Sequence, residues 1–214
     1  MSENQYISRP MLHPQGLNLS ATLPYELRVS EVRSAMEDIY DFLHNVNSFL
    51  IDKGWERLEE TLSGATFSGL MSELVVQSLS KHSTTMTKNL LHNGRPDLLP
   101  MGLYADDAHQ HAPEGIEVKA SRYSGGWQGH NPESGWIMIF QYSVDVKTNP
   151  VETRHPTVFA RVLSAKLENS DWSYSGRRPG SRRTITASII RSGLEKLTTN
   201  WIYEDPTLRG ARRT

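Results

Sequence analysis

Two carboxylates and one lysine are the residues of this chain whose types and spacing best suit catalysis. Asp97 follows a proline in the segment GRPDLL, and Glu117 and Lys119 lie in the segment GIEVKAS, 20 and 22 residues further along the chain. Carboxylate oxygens are ligands that suit Mg²⁺. A lysine beside such an ion can orient or activate a water molecule. The three side chains therefore form a minimal set for metal-assisted hydrolysis of a phosphodiester, provided that the fold brings them together.

The alternation of the second segment supplies part of that geometry. Successive side chains of a strand point to opposite faces, so Glu117 and Lys119 share one face of a strand over residues 115–121. The opposite face then carries the apolar residues Ile116, Val118 and Ala120. This pattern predicts a strand with a buried apolar face and a charged face.

The segment around Asp97 has the pattern of a β-hairpin. An Asn-Gly pair at 93–94 is the strongest short signal for a hairpin turn, and it predicts strands over 88–92 and 95–101. If the returning strand pairs with the strand that carries Glu117, Asp97 approaches that glutamate. Two carboxylates at such a distance repel each other unless a cation lies between them.

The remaining elements follow from the spacing of apolar residues. This spacing predicts helices over 30–51, 56–62, 69–80 and 185–201 and strands over 136–144 and 158–167. The segment 136–144 is apolar at nearly every position, which is typical of a strand buried on both faces. Residues 1–27 have no clear period, and we expect an extended arm that packs on the body or on a second subunit.

The composition indicates one folded domain and excludes several kinds of site. A chain of 214 residues with 37% hydrophobic content can build a core. Because the chain has no cysteine, disulfides, thiolate catalysis and cysteine-based zinc sites are excluded. No segment is long and apolar enough for a membrane span or a secretory signal. We therefore expect a cytoplasmic protein with no membrane partner.

The charge is distributed unevenly along the chain. Residues 1–146 hold 10 Lys and Arg against 18 Asp and Glu, a net charge of −8, whereas residues 147–214 hold 13 against 6, a net charge of +7. A basic C-terminal third is compatible with nucleic-acid binding, but charge alone favours an ordinary solvated surface.

The Glu-x-Lys pattern alone is weak evidence for a site. A second pattern of this kind, Asp145-Val146-Lys147, ends its strand and has no acid close upstream. An ordinary ion pair on a strand face would also explain Glu117 and Lys119. It would not explain the aspartate placed after a hairpin turn.

Pro96-Asp97 and Glu117-x-Lys119, following a helix that carries an acid, resemble the signature of the PD-(D/E)XK nuclease superfamily. The resemblance covers about residues 68–167 and implies an α/β fold, the restriction-endonuclease-like core, in which a central mixed sheet is flanked by helices. It also implies that Asp97, Glu117 and the carbonyl of Val118 bind Mg²⁺, with Mn²⁺ as a substitute, and that Lys119 organises the attacking water. Glu73 is either a further acid of the site or a surface residue of the first helix.

One feature departs from that family pattern. The core usually has a helix between its third and fourth strands, whereas residues 122–135 are rich in Gly, Ser and Pro. Either a loop replaces the crossover helix or the strand numbering shifts by one.

Two loops are candidates for DNA contacts. The residues that suit base-edge hydrogen bonds or stacking follow the predicted catalytic strand and are Arg122, Tyr123, Trp127, Gln128 and Asn131. The residues that suit phosphate contacts surround a Pro-Gly turn and are Arg177, Arg178, Arg182 and Arg183. Each loop could equally be an ordinary polar surface.

The resemblance implies a Mg²⁺-dependent DNA endonuclease similar to type II restriction endonucleases, acting on double-stranded DNA as a homodimer. In this interpretation residues 1–67 form an N-terminal arm with helices and a candidate dimerisation region, and residues 68–214 form the nuclease core with a basic loop and a C-terminal helix. The alternatives are a structure-specific or repair nuclease of the same fold and a DNA-binding protein that does not use the site.

Two weaker signals are a polar loop and a glutamine in an apolar strand. A zinc site could use the loop residues Asp106, Asp107, His109 and His111, although such a loop is more often simply polar. Gln141 lies in an apolar strand and needs hydrogen-bond partners, either in the active-site cleft or on the backbone.

Overall fold

A six-stranded mixed sheet forms the centre of the structure, a computed structural model that describes residues 5–129, 132–174 and 187–208. Its strands, in chain order and with a separate two-residue strand β4, are β1 (Met86–Lys88), β2 (Leu98–Pro100), β3 (Ile116–Ser121), β4 (Gln128–Gly129), β5 (Gly135–Ser143), β6 (Val158–Leu167), β7 (Trp172–Tyr174), β8 (Ala187–Ile189) and β9 (Trp201–Glu204). The order across the central sheet is β1-β2-β3-β5-β6-β9. β3 and β5 are parallel, and the other neighbouring pairs are antiparallel.

Helices cover both faces of this sheet. They are α1 (Val29–Asp52), α2 (Leu58–Thr61), α3 (Gly64–His82) and α4 (Arg191–Thr199). On one face α3 packs against β1 and β3, and α1 packs on α3. On the other face α4 packs against β6. The predicted α/β class with a central mixed sheet between helices is confirmed.

Each face of the sheet has its own apolar core. The larger core joins α1 and α3 to Ile116, Val118 and Ala120 of β3. The smaller core contains Ile137 and Ile139 of β5 together with residues of β6, the small sheet and α4. The predicted alternation of β3 is therefore correct, and β5 is buried on both faces as its apolar sequence indicates.

The N-terminal arm packs on the body. Leu17 forms an antiparallel bridge with Tyr203 of β9, and Asn18 donates its side-chain N–H to the Trp201 carbonyl at 2.9 Å. Further along, the Tyr25 hydroxyl reaches the beginning of β3 by accepting the N–H of Gly115 at 2.9 Å. The arm therefore contacts both the edge strand β9 and the beginning of β3.

α3 begins earlier than the sequence pattern predicts. Its N-cap is Ser63, whose hydroxyl accepts the N–H of Thr66 at 3.3 Å, so the segment 64–68 is helical and not a connection. The predicted boundary between residues 67 and 68 falls inside this helix.

The hairpin differs from the prediction in its first strand and in its turn. The predicted strand over 88–92 is wrong after its first residue, because β1 ends at Lys88, which pairs with Leu98, and the connection is a long loop instead of a two-residue Asn-Gly turn. The reason is that Asn89 directs its side chain to distant backbone groups, which ends the strand early. Asn93 still adopts the left-handed conformation that the pattern suggests, with φ of 58°.

The predicted C-terminal helix is wrong at both ends within the described residues, while Ile185 lies outside them. Only Arg191–Thr199 is helical. Ile189 pairs with Trp172 in a small three-stranded sheet of β4, β8 and β7, and Trp201 pairs with Leu163 at the edge of the central sheet. These strand pairings override the helical spacing of the apolar residues.

The connection between β3 and β5 contains no helix in its described parts, 122–129 and 132–134. It forms β4 at Gln128–Gly129 and then enters β5 parallel to β3. A loop therefore takes the place where the family pattern has a crossover helix. In the described part of the chain, none of the helices has the length and apolarity needed to cross a membrane.

Candidate active site

Asp97 and Glu117 meet where the ladder between β2 and β3 ends. The paired residues of these strands are Leu98 and Ile116, so the next position along each strand sets Asp97 opposite Glu117. The Val118 N–H, which lies beyond the ladder, donates to Asp97 Oδ2 at 2.8 Å. The Asp97 side chain therefore takes the place of a strand neighbour, and its carboxylate is held against the edge of β3.

Ser72 of α3 completes the same edge one step further on. Its hydroxyl accepts the Ala120 N–H at 2.9 Å. Two successive N–H groups on this side of β3, those of Val118 and Ala120, are thus satisfied by side chains and not by a strand. This arrangement opens the sheet beside Glu117 without leaving unpaired backbone donors.

Glu117 and Lys119 project from one face of β3, as the alternation predicts. The Lys119 ammonium nitrogen lies 3.1 Å from Glu117 Oε1, and both side chains are largely buried. Lys119 is therefore held beside the carboxylates, in a position from which it can reach a water or a phosphate oxygen in the site.

Burial and negative charge act together on Asp97. The pKa of Asp97 is raised to about 7, chiefly because burial disfavours its charged form and secondly because Glu117 repels a further negative charge. The Val118 N–H and the Lys119 ammonium oppose this rise. A cation between the two carboxylates would remove the repulsion.

Glu73 lines the same cleft, and its carboxylate is paired with Lys88. It is an exposed residue of α3, and Lys88 donates to its Oε2 at 3.0 Å. Glu73 nevertheless raises the pKa of Asp97 further, after Glu117, which shows that the two carboxyls are near each other. The cleft that contains Glu73, Asp97 and Glu117 has a volume of about 590 Å³.

The described residues include no cluster of three Asp, Glu or His side chains close enough to hold a metal ion. A Mg²⁺ ion does not need one, because it keeps several waters and is commonly bound by one or two carboxylates together with substrate phosphate. Asp97, Glu117 and the Val118 carbonyl fit this open type of site. The crowding of two carboxylates at the end of the ladder is the structural feature that suits a cation.

The side chains of the loop after β3 lie partly in the core and partly on the surface. Trp127 is buried in the smaller core, and its indole N–H donates to the Tyr123 carbonyl at 3.0 Å. Arg122 turns to the opposite face, where its guanidinium donates to the Glu59 carbonyl at 3.2 Å. Tyr123 and Gln128 are exposed. Of the predicted base-contacting residues described, only these last two have side chains on the surface.

The remaining predicted DNA contacts lie outside the described residues. They are Asn131, Arg177, Arg178, Arg182 and Arg183.

The polar loop considered as a zinc site forms internal contacts. Asp107 Oδ1 accepts the Gly102 N–H at 2.9 Å, and His109 Nδ1 accepts the His111 N–H at 3.2 Å. The His109 ring also packs against Tyr104. These side chains stabilise the loop.

Gln141 has a partner that the sequence analysis missed. Arg161 of β6 is buried and donates its Nε–H to Gln141 Oε1 at 2.9 Å, on the sheet face that carries Lys119. An arginine between the apolar residues Ala160 and Val162 of the predicted strand was the available signal. Ser72 and Lys88 were also missed, because only the fold brings Ser72 to β3 and Lys88 to the cleft, and Arg95, two residues before Asp97, was not recognised as part of it.

No protein-family model matches the chain, and searches of curated proteins and of solved structures return no match either. The geometry of the cleft is therefore the basis on which a function can be proposed.

Proposed function

We propose that this protein is a Mg²⁺-dependent DNA endonuclease of the PD-(D/E)XK type, similar to type II restriction endonucleases. The observation that carries the proposal is the placement of Asp97 opposite Glu117, with Lys119 paired to the glutamate. Two acids and a lysine on adjacent strands are the set that the family signature requires. The preceding helix α3 and the order of the three strands also agree with that family.

Each residue of the site has a role in this proposal. Asp97, Glu117 and the Val118 carbonyl would hold Mg²⁺, which would supply positive charge to the phosphodiester and make a water molecule easier to deprotonate. Lys119 orients the attacking water through its ammonium group and stabilises negative charge on the phosphate oxygens. Hydrolysis forms a P–O bond to the water oxygen and breaks the P–O bond to the leaving oxygen; the attacking water gives up a proton to solvent, and the leaving oxygen takes one from solvent to become a hydroxyl.

The cations around the cleft support an anionic substrate. Lys88, Arg95 and Lys119 each form an ion pair with a glutamate, at 3.0, 2.7 and 3.1 Å respectively. Because these ion pairs are at least partly accessible, a phosphate backbone could exchange with the glutamates as partner. Double-stranded DNA with both strands cut would require two copies of the site, and a two-fold homodimer is the simplest arrangement.

The test is a plasmid-cleavage assay with Mg²⁺ that compares wild type with Lys119→Ala and with Lys53→Ala, a matched exposed lysine at the end of α1. Discrete fragments from wild type and Lys53→Ala, and none from Lys119→Ala, are the expected result. A smear of products would support a structure-directed or nonspecific nuclease of the same fold. Equal cleavage by Lys119→Ala and wild type would remove the proposed site.

A further inference from the structure

A loop with two exposed leucines lies at the rim of the cleft. We call residues 90–93 the rim loop; all four of its residues are exposed. Leu90 is 68% exposed and Leu91 38%. A single exposed leucine is ordinary, but two adjacent ones on an ordered loop beside a polar cleft suit contact with a partner.

Asn89 holds the rim loop in place. This buried side chain donates from Nδ2 to the Pro96 carbonyl at 3.1 Å and to the His109 carbonyl at 2.8 Å. Its Oδ1 accepts the N–H groups of Leu91 and His109, both at 3.1 Å. Two of these four hydrogen bonds reach His109, one reaches Pro96 and one reaches Leu91 of the loop itself, so a single amide ties the loop to the neighbouring segment.

Gly94 closes the other end of the rim loop. A Cβ atom at this position would lie 2.6 Å from both the His109 carbonyl oxygen and Asn89 Nδ2. Only glycine allows the loop to approach the 107–111 segment so closely. The loop is thus held at Asn89 and at Gly94, and residues 90–93 between them are exposed to solvent.

The rim loop lines the same cleft as the candidate catalytic carboxylates. The cleft wall runs from Glu73 and Lys88 through the loop to Arg95, Asp97 and Glu117. Cations therefore flank the loop on both sides in sequence, Lys88 before it and Arg95 after it. Leu90 and Leu91 therefore line the same cleft that a substrate phosphate at Asp97 and Glu117 would enter.

We propose that the rim loop is a wedge for double-stranded DNA, inserting Leu90 and Leu91 at a base step next to the cleaved phosphodiester. This inference rests on the proposed nuclease function. Apolar side chains that enter a groove of DNA partly unstack a base step and kink the duplex. His92 and Asn93, at the same tip, supply polar groups for the exposed base edges. The contacts of Asn89 and Gly94 pre-organise the loop, and pre-organisation reduces the conformational entropy that is lost on binding.

The experiment uses the full-length chain with Lys119→Ala, so that DNA is bound and not cut. Wild-type protein first maps the cleavage position, and duplexes then carry 2-aminopurine at successive positions around it. A rise in 2-aminopurine fluorescence at one step on binding is expected, because the base is unstacked there. The double variant Leu90→Ser, Leu91→Ser in the same background should lose this signal and bind roughly tenfold more weakly.

Leu103→Ser is the matched control, since Leu103 is 55% exposed on the turn after β2 and does not line the cleft. It should retain both the signal and the affinity. Absence of a fluorescence change at every position, with equal affinity for the rim-loop and control variants, would overturn the wedge while leaving the nuclease proposal intact. Absence of DNA binding by every protein, together with no cleavage by wild type, would overturn both. Because the leucines are exposed, thermal melting should show that all variants are folded.

Discussion

The backbone N–H of Val118 donates to Asp97 Oδ2 at 2.8 Å, across the gap where β2 stops pairing with β3. This hydrogen bond joins the two halves of the candidate site, because Val118 separates Glu117 from Lys119 in the strand. The aspartate therefore has two functions in the structure. It satisfies a buried donor at a strand edge, and it brings a second carboxylate to Glu117.

Replacing Asp97 separates these two functions. Asp97→Asn keeps an oxygen for the Val118 N–H and removes the negative charge. We expect cleavage to fall by about three orders of magnitude, because loss of a metal ligand removes several kcal/mol of transition-state stabilisation. DNA binding should be unchanged or stronger, since one negative charge leaves the cleft. Cleavage rates and fluorescence anisotropy with labelled DNA measure the two effects.

Asp106→Asn is the control for this substitution, since Asp106 is an exposed loop residue and should have no effect on cleavage. If Asp97→Asn cleaved DNA as fast as wild type, the carboxylate would be structural only. If it failed to fold, as judged by circular dichroism, the hydrogen bond to Val118 would have proved insufficient with an amide.

The basic segment 177–183 gives a prediction about salt dependence. It lies outside the described residues, and the expectation rests on its sequence alone. Arg178→Ala together with Arg182→Ala should weaken binding evenly across DNA sequences and reduce the slope of log K against log salt by about 2, one for each lost phosphate contact. Titrations at several salt concentrations measure this slope. Lys53→Ala is the control, and a change in sequence preference would contradict the phosphate assignment.

Local patterns predicted the parts of the fold that depend on local burial. The alternation of β3, the apolar run of β5 and the helical spacing of α1 each agree with the structure, because burial of one face or both determines these elements. The strand that carries Glu117 and Lys119, and the face they share, therefore followed from the sequence. The fact that Asp97 lies opposite Glu117 required only that β2 and β3 pair.

Contacts between residues that are far apart in the sequence determine the elements that the local patterns did not predict. Asn89 ends β1 early because its amide binds the backbone of His109, 20 residues away in the chain. Trp201 forms a strand because Leu163 of β6 pairs with it, although its spacing fits a helix. Ser72 joins the site through Ala120, 48 residues further along the chain. No local pattern contains these relationships, and they determine the rim of the cleft.

Tyr25 tests whether the N-terminal arm positions β3, the strand of the candidate site. Its hydroxyl donates to Glu114 Oε2 at 2.5 Å and accepts the Gly115 N–H at 2.9 Å, just before β3 begins. Tyr25→Phe leaves that N–H without its acceptor, and we expect a loss of about 1–2 kcal/mol of stability. Thermal or urea unfolding measures the loss. Tyr123→Phe, at an exposed tyrosine, should be neutral.

If the proposed nuclease function is correct, the Tyr25 variant should also lower kcat more than it raises KM, because the beginning of β3 becomes less well fixed while the loops proposed to contact DNA are unchanged. Equal stability of Tyr25→Phe and wild type would show that the arm does not depend on this contact. A loss of stability with unchanged kcat would limit the role of Tyr25 to folding.

Asp38 gives the acid dependence of stability, because it ties α1 to α3. Burial alone would raise the pKa of Asp38, but hydrogen bonds from Lys81, Ser78 and His82 outweigh it and lower the pKa from 3.8 to about 2. A carboxyl whose pKa is lower in the folded state stabilises the fold above its unfolded pKa, and this contribution disappears as pH falls from about 4 towards 2.

Asp38→Asn should therefore be less stable than wild type at pH 7, by about 1 kcal/mol or less because the group is partly exposed. The difference should shrink between pH 4 and pH 2 in urea unfolding, whereas Asp52→Asn, at an exposed aspartate of the same helix, should follow wild type throughout. A difference for Asp38→Asn that stayed constant from pH 7 to pH 2 would show that packing, and not the carboxylate charge, links the two helices.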